Sequence, residues 1–95
     1  MTTQIKVGNT VKWTSQSQGS TKTKQGIVHA IVPSDYNAMT FLPIGLKLAQ
    51  IKFDTWYTKF ERFIIAVPRG GKSQIVDYYC PRPTMLRLGE EGDNQ

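Results

Sequence analysis

The chain has 95 residues, 39% hydrophobic and 11% aromatic, with a formal net charge of +5. That length allows one small domain with a thin core, burying roughly 60–65% of its unfolded surface, and the apolar content excludes a disordered chain. No apolar run approaches the about 20 residues of a membrane span, and Met1-Thr2-Thr3-Gln4 lacks the charged-then-apolar start of a secretory signal; a soluble, cytoplasmic protein is expected.

The single cysteine, Cys80, allows no internal disulfide and fits a reducing compartment. The net charge hides an asymmetry: residues 1–88 carry 12 basic against 4 acidic side chains, a net of +8. The remaining acids, Glu90, Glu91 and Asp93, sit in the last seven residues. No acidic residue precedes Asp35, whereas Lys6, Lys12, Lys22 and Lys24 do. A field of one sign attracts a polyanion or an acidic protein face.

Val7-Gly8-Asn9 is a turn signal. Thr10 to Thr14 alternates with period two, which predicts a half-buried strand with Val11 and Trp13 inward and Lys12 outward. Ser15 to Gln25 holds no large apolar residue and reads as a long loop or hairpin tip. Gly26 then opens the β-branched run Ile27 to Val32, stopped by Pro33. Its near-continuous apolarity predicts cover on both faces, as in a closed barrel.

In the stretch 34–60, Leu42, Leu46, Ala49, Phe53, Trp56 and Phe60 recur at spacings of three and four, as on one face of a helix. Pro43 and Gly45 argue against a helix beginning before Leu46. A short helix or helical turn inside a long insertion is expected. Phe63 to Val67 is a strand ended by Pro68, and Arg69-Gly70-Gly71-Lys72 is a tight hairpin. Gln74 to Tyr79 returns, Pro81-Arg82-Pro83 breaks it, and Thr84 to Leu88 gives a 3₁₀ turn and a short closing strand. The apolar-free segment 89–95 reads as a flexible, disordered acidic tail. The sum is a mainly β chain of about five short strands, the count of a small barrel, with Val11, Trp13, Val28, Ala30, Ile65, Val67 and Leu86 in its core.

Val7-Gly8-Asn9-Thr10-Val11-Lys12-Trp13 resembles the opening strand of SH3-like barrels, including KOW-type and Tudor-like modules. Two longer segments resemble a family of small bacterial proteins carried on phages and other mobile elements. One runs from Trp13 to Ser20 and on through Lys24-Gln25-Gly26-Ile27-Val28. The other is the strand Phe63 to Val67, followed after the Gly-rich hairpin by Tyr79-Cys80-Pro81-Arg82-Pro83-Thr84-Met85-Leu86. The chain departs from that family at Cys80, where an aromatic is usual, and at Pro83, where valine is. The resemblance implies an SH3-like five-stranded barrel over residues 1–88 and a mobile-genetic context, and it implies no activity. A more distant likeness is to a plasmid-borne dihydrofolate reductase of SH3-like fold. Asp77-Tyr78-Tyr79-Cys80 lacks the glutamine on which its active site rests, so that activity does not carry over.

The residues argue for binding over catalysis. His29 is the only histidine and lies inside the most apolar strand. One histidine and one cysteine cannot supply the about four ligands of a zinc site, and no carboxylate pair shares a strand. Gly70-Gly71-Lys72-Ser73 lacks the upstream glycine of a P-loop and its following helix. No enzyme and no cofactor are expected. A partner is expected to meet Ser15, Ser17, Ser20, Lys22 and Lys24 of the polar loop, Arg69 and Lys72 of the hairpin, and Tyr79 and Arg82 before the last turn. One of Tyr78 and Tyr79 should be exposed, because neighbours in a strand face opposite ways. The basic residues would pair with phosphates and a tyrosine could stack on a base. Two readings follow: a nucleic-acid-binding accessory protein of a phage or mobile element, or a protein-binding inhibitor of a host defence complex, anti-CRISPR-like, acting by occluding a nucleic-acid-binding or acidic surface. A homodimer through an edge strand is open to either.

Overall fold

The structure, a computed structural model, describes residues 5–17 and 19–88, with Ser15–Ser17 and Ser20 described through their backbone alone. The expected acidic tail at 89–95 lies outside the described residues. Five strands form one antiparallel sheet: β1 (Thr10–Ser17), β2 (Ser20–Val32), β3 (Arg62–Pro68), β4 (Val76–Tyr79) and β5 (Arg87–Leu88). Their order across the sheet is β4-β3-β2-β1-β5. The mainly β expectation holds, and so does the 3₁₀ turn, Pro83–Met85, before a short closing strand.

The polar stretch read as a loop is instead a ribbon. Ser17 pairs with Ser20, and every residue from Thr21 to Gln25 pairs back onto β1. Gly19, at φ +84°, supplies the left-handed backbone of a two-residue hairpin connection. No apolar face is needed there, because Thr21, Lys22, Thr23 and Gln25 meet water and threonine favours extended backbone.

The ladder does not close. β4 and β5 lie at opposite edges of the sheet and do not pair. The chain between them carries Pro81 and Pro83, which have no amide to donate, and the two residues of β5 are spent on Val11 and Lys12 of β1. Cover on both faces nevertheless exists, with a different cause. Ile64 and Ile65 are adjacent in β3, point to opposite faces and are both 0% exposed. Ile65 belongs to a core with Val11, Trp13, Val28, Phe63 and Leu86. Ile64 belongs to a second core with Val32, Ala38 and Tyr78, against which Phe41, Leu42, Leu46 and Phe53 pack. The segment between β2 and β3 is therefore the lid of the second face.

That segment is not an α-helix. It contains two 3₁₀ turns, Ala38–Phe41 and Leu48–Gln50. Gly45, at φ +90°, and Pro43 prevent one from propagating toward the other. Leu42, Leu46 and Phe53 of the expected helical face do pack inward, while Ala49 and Phe60 are exposed. The segment also covers the free edge of β4: the Lys52 amide donates to the Tyr78 carbonyl at 2.8 Å, and Gln50 Nε2 donates to the Val76 carbonyl at 2.9 Å. A dimer pairing through β4 would find that edge taken.

Of the seven expected core residues, Val11, Trp13, Val28, Ile65 and Leu86 are buried, and Ala30 and Val67 are half-buried. Ala30 lies on the other face because the register shifts between Val28 and Ala30, so that Val28 opposes Ile65 and Ala30 opposes Ile64. The extra residue of this bulge, His29, turns the strand over by one position.

Candidate nucleic-acid interface

β2 pairs with β3 only from Ile27 onward, so Thr14 to Gln25 form a two-stranded arm beyond that pairing. Lys22 and Lys24 share the face that continues into Gly26 and Val28, whereas Lys12 opposes Gln25 on the other face. The basic residues of the arm are thus divided between its two sides. Lys24 Nζ lies 5.1 Å from the Tyr79 ring centroid, a cation–π contact. Tyr79 meets Trp13 edge-on, with centroids 5.6 Å apart. Tyr79 is half-buried and Tyr78 is buried in the second core, so the expected exposed tyrosine is absent. The lid over the second face removes it.

Arg69 is drawn into the structure itself. Its Nη2 reaches Asp77 Oδ1 at 2.6 Å and its Nε reaches Oδ2 at 3.1 Å. This two-point contact is the one ion pair among the described residues. The hydrogen bonds from Arg69 hold the Asp77 carboxyl below the ordinary carboxylate range; burial acts the other way, and the charges of Arg69, Lys52 and Lys24 add to the lowering. A lowered folded-state pKa stabilises the fold above the unfolded value of about 3.9 and ceases to do so as pH falls through the folded value. The thermal midpoint is therefore expected to drop on acidification below about pH 4, and to drop less in Asp77→Asn. Equal drops in melts followed by circular dichroism would show that the pair contributes nothing.

The remaining expected residues separate. Lys72 is exposed in the connection from β3 to β4, whose turn is closed by the Ser73 amide on the Gly70 carbonyl at 3.1 Å. Arg82 is exposed and lines a different cleft, with Thr55, Thr58, Phe60, Arg62, Cys80 and Pro81. Ser15, Ser17 and Ser20 stand on the paired strands of the arm, and their side chains lie outside the described set.

A further cleft, of about 340 Å³, is lined by Lys12, Trp13, Thr14, Thr23, Met85 and Arg87. Lys12 stands directly opposite Arg87 in the β1–β5 register. Like charges directly opposed across strands repel, and no described carboxylate pairs with either. The outward direction of Lys12 was legible from the alternation of β1. Its pairing with Arg87, 75 positions along the chain, had no local signal.

Comparison with protein-family models, curated proteins and solved structures found no significant match.

Among the described residues no three His, Cys, Asp or Glu side chains gather as a metal site requires, and no helix is long and apolar enough to cross a membrane. His29 is exposed and meets Tyr78 edge-on at 5.2 Å. Burial raises the Cys80 thiol above its ordinary value against the opposing effect of Arg62, which keeps it a protonated, weak nucleophile at neutral pH.

Proposed function

We propose that the protein is a cytoplasmic nucleic-acid-binding accessory module of SH3-like type, belonging to a phage or mobile element, that grips phosphates along β5, β1 and the hairpin arm. The observation that carries this reading is the opposed pair Lys12 and Arg87, which shares its cleft with Thr14 and Thr23. Two cations opposed across the ladder without a carboxylate gain from an anion bound in the cleft they share, and two hydroxyls beside them can position a phosphate. Lys22 and Lys24 extend the positive surface along the other side of the arm, with Lys24 held over the half-buried Tyr79 ring. The SH3-like reading is supported by β1 lying between β2 and β5, by the 3₁₀ turn before β5, and by the contact of Trp13 in β1 with Tyr79 in β4, which requires the sheet to curl.

Polarisation titrations with single-stranded DNA, duplex DNA and RNA at several salt concentrations test it. Affinity is expected to fall with a log–log slope of about −0.7 to −0.9 per phosphate contacted, and Lys12→Gln with Arg87→Gln should reduce the slope by about 1.4–1.8. Affinity weaker than about 10⁻⁴ M at physiological salt for all three would overturn the reading. A protein-binding inhibitor of a host defence complex is the second reading. It is favoured by Ile44 and Leu48, 102% and 84% exposed on the segment between β2 and β3, which a protein partner would cover with gain and a phosphate backbone would not.

A further inference from the structure

Arg62 opens β3 and is only 3% exposed. Its Nη1 donates to the Thr55 carbonyl at 2.6 Å and its Nη2 to the Trp56 carbonyl at 2.9 Å. These bonds explain its place in the fold, since they pin the end of the connecting segment to β3. They do not neutralise it. The neighbouring Cys80 thiol offers the guanidinium only a weak sulfur acceptor; Arg62 Nε is buried with no hydrogen bond of good geometry, and no described carboxylate pairs with the guanidinium. A buried charge without a counter-charge is costly, and a buried donor without an acceptor adds to that cost. Arg62 lines a cleft of about 260 Å³, and a second cation, the exposed Arg82, lines the same cleft. Thr55 adds an exposed hydroxyl there, whereas the Thr58 hydroxyl is already donated to the Phe60 carbonyl at 2.7 Å. Glu61 shares an adjoining cleft with Arg82 without forming an ion pair.

We propose that the cleft between Thr55–Phe60 and Cys80–Arg82 is a binding site for a phosphate group, with Arg82 as its exposed ligand and Arg62 as its buried counter-charge. A tetrahedral dianion matches this pair because it accepts from a guanidinium fork while compensating a second charge behind it. The exposed Phe60 lines both this cleft and the adjoining one, so a phosphate carried on a nucleotide would find an aromatic surface next to it. The site shares no residue with the Lys12–Arg87 cleft and does not depend on that surface binding nucleic acid.

The test is an NMR titration that follows the Arg62 Nε–H and the backbone amides of Cys80 and Arg82, at constant ionic strength. Inorganic phosphate is one titrant; a short oligonucleotide with a 5′-phosphate, and the same one with a 5′-hydroxyl, are the others. A saturable shift at Arg62 and Arg82 with inorganic phosphate, weakened about tenfold by Arg82→Gln, is the expected result. A shift seen only with the 5′-phosphorylated oligonucleotide, and equally weakened by Arg82→Gln, also supports the site and assigns its phosphate to a nucleic-acid end. No saturable shift with any of the three overturns the proposal, as does an affinity that Arg82→Gln leaves unchanged. Arg82 is exposed and makes no side-chain hydrogen bond to another described residue, so that variant keeps its fold, which the unshifted amides of β1 and β2 will report. Failure of binding at Lys12 and Arg87 would leave these signals untouched, so the two proposals fail separately.

Discussion

Replacing Ile65 by alanine is expected to destabilise the domain by about 2–5 kcal/mol, and replacing its neighbour Ile64 by alanine should cost a similar amount. Both are fully buried, one in each core. A chain of this length has a total stability of about 5–14 kcal/mol, so either change removes a large part of it. Each kcal/mol corresponds to roughly 4–8 °C in a domain this small, and urea or thermal melts will measure both variants. The informative member is Ile64. In a sheet with one solvated face, one of two adjacent strand residues tolerates truncation to within about 0.5 kcal/mol. An Ile64→Ala midpoint close to that of the parent would show that the segment between β2 and β3 does not cover the second face.

Gly26→Ala is expected to be nearly as damaging, through the opposite fault. Gly26 is buried where β2 passes beneath the end of β3. A Cβ there would stand 2.5 Å from the Ala66 carbonyl oxygen, 2.7 Å from Val67 Cγ2 and 2.8 Å from Ile65 Cγ2. The two side-chain contacts could relax by rotation. The carbonyl cannot, because it is part of the backbone of the neighbouring strand. The strands must part at the point where the arm leaves the sheet, so the cost should reach or exceed the about 1–3 kcal/mol typical of overpacking. Gln25→Ala, one residue away and exposed, should stay within about 0.5 kcal/mol. Equal stability of Gly26→Ala and Gln25→Ala would show that β2 and β3 do not approach so closely.

Part of the candidate surface was readable from the residue order. The absence of acids before Asp35 and the alternation of Thr10 to Thr14 located a basic, half-exposed first strand. Lys24 and Tyr79, taken from distant segments, do meet. Arg69 was read as a free cation, and it is bound to Asp77 because β4 returns beside β3 with Val67 opposite Asp77. Arg62 gave no signal. An arginine at the start of a strand reads as an exposed charge, and only the return of Thr55 and Trp56 over it makes it a buried one.

Residue order settled what is local: parts of three strands, through the alternation of Thr10 to Thr14 and the apolar runs Ile27 to Val32 and Phe63 to Val67; their ends, through Pro33, Pro68 and Pro81; and the 3₁₀ turn before β5, through Pro83. Each of these depends on the φ preference of one residue or on the direction of its neighbours' side chains, and both are fixed within a few residues. Long-range packing set which faces are covered, that the bulge at His29 sends Ala30 to the second core, that Lys12 stands opposite Arg87, and that Gly26 lies against β3. These depend on contacts between residues far apart in the chain. Apolar residues in the segment between β2 and β3 carry the same spacing whether they line a helix or a lid, and only the sheet they settle on distinguishes the two.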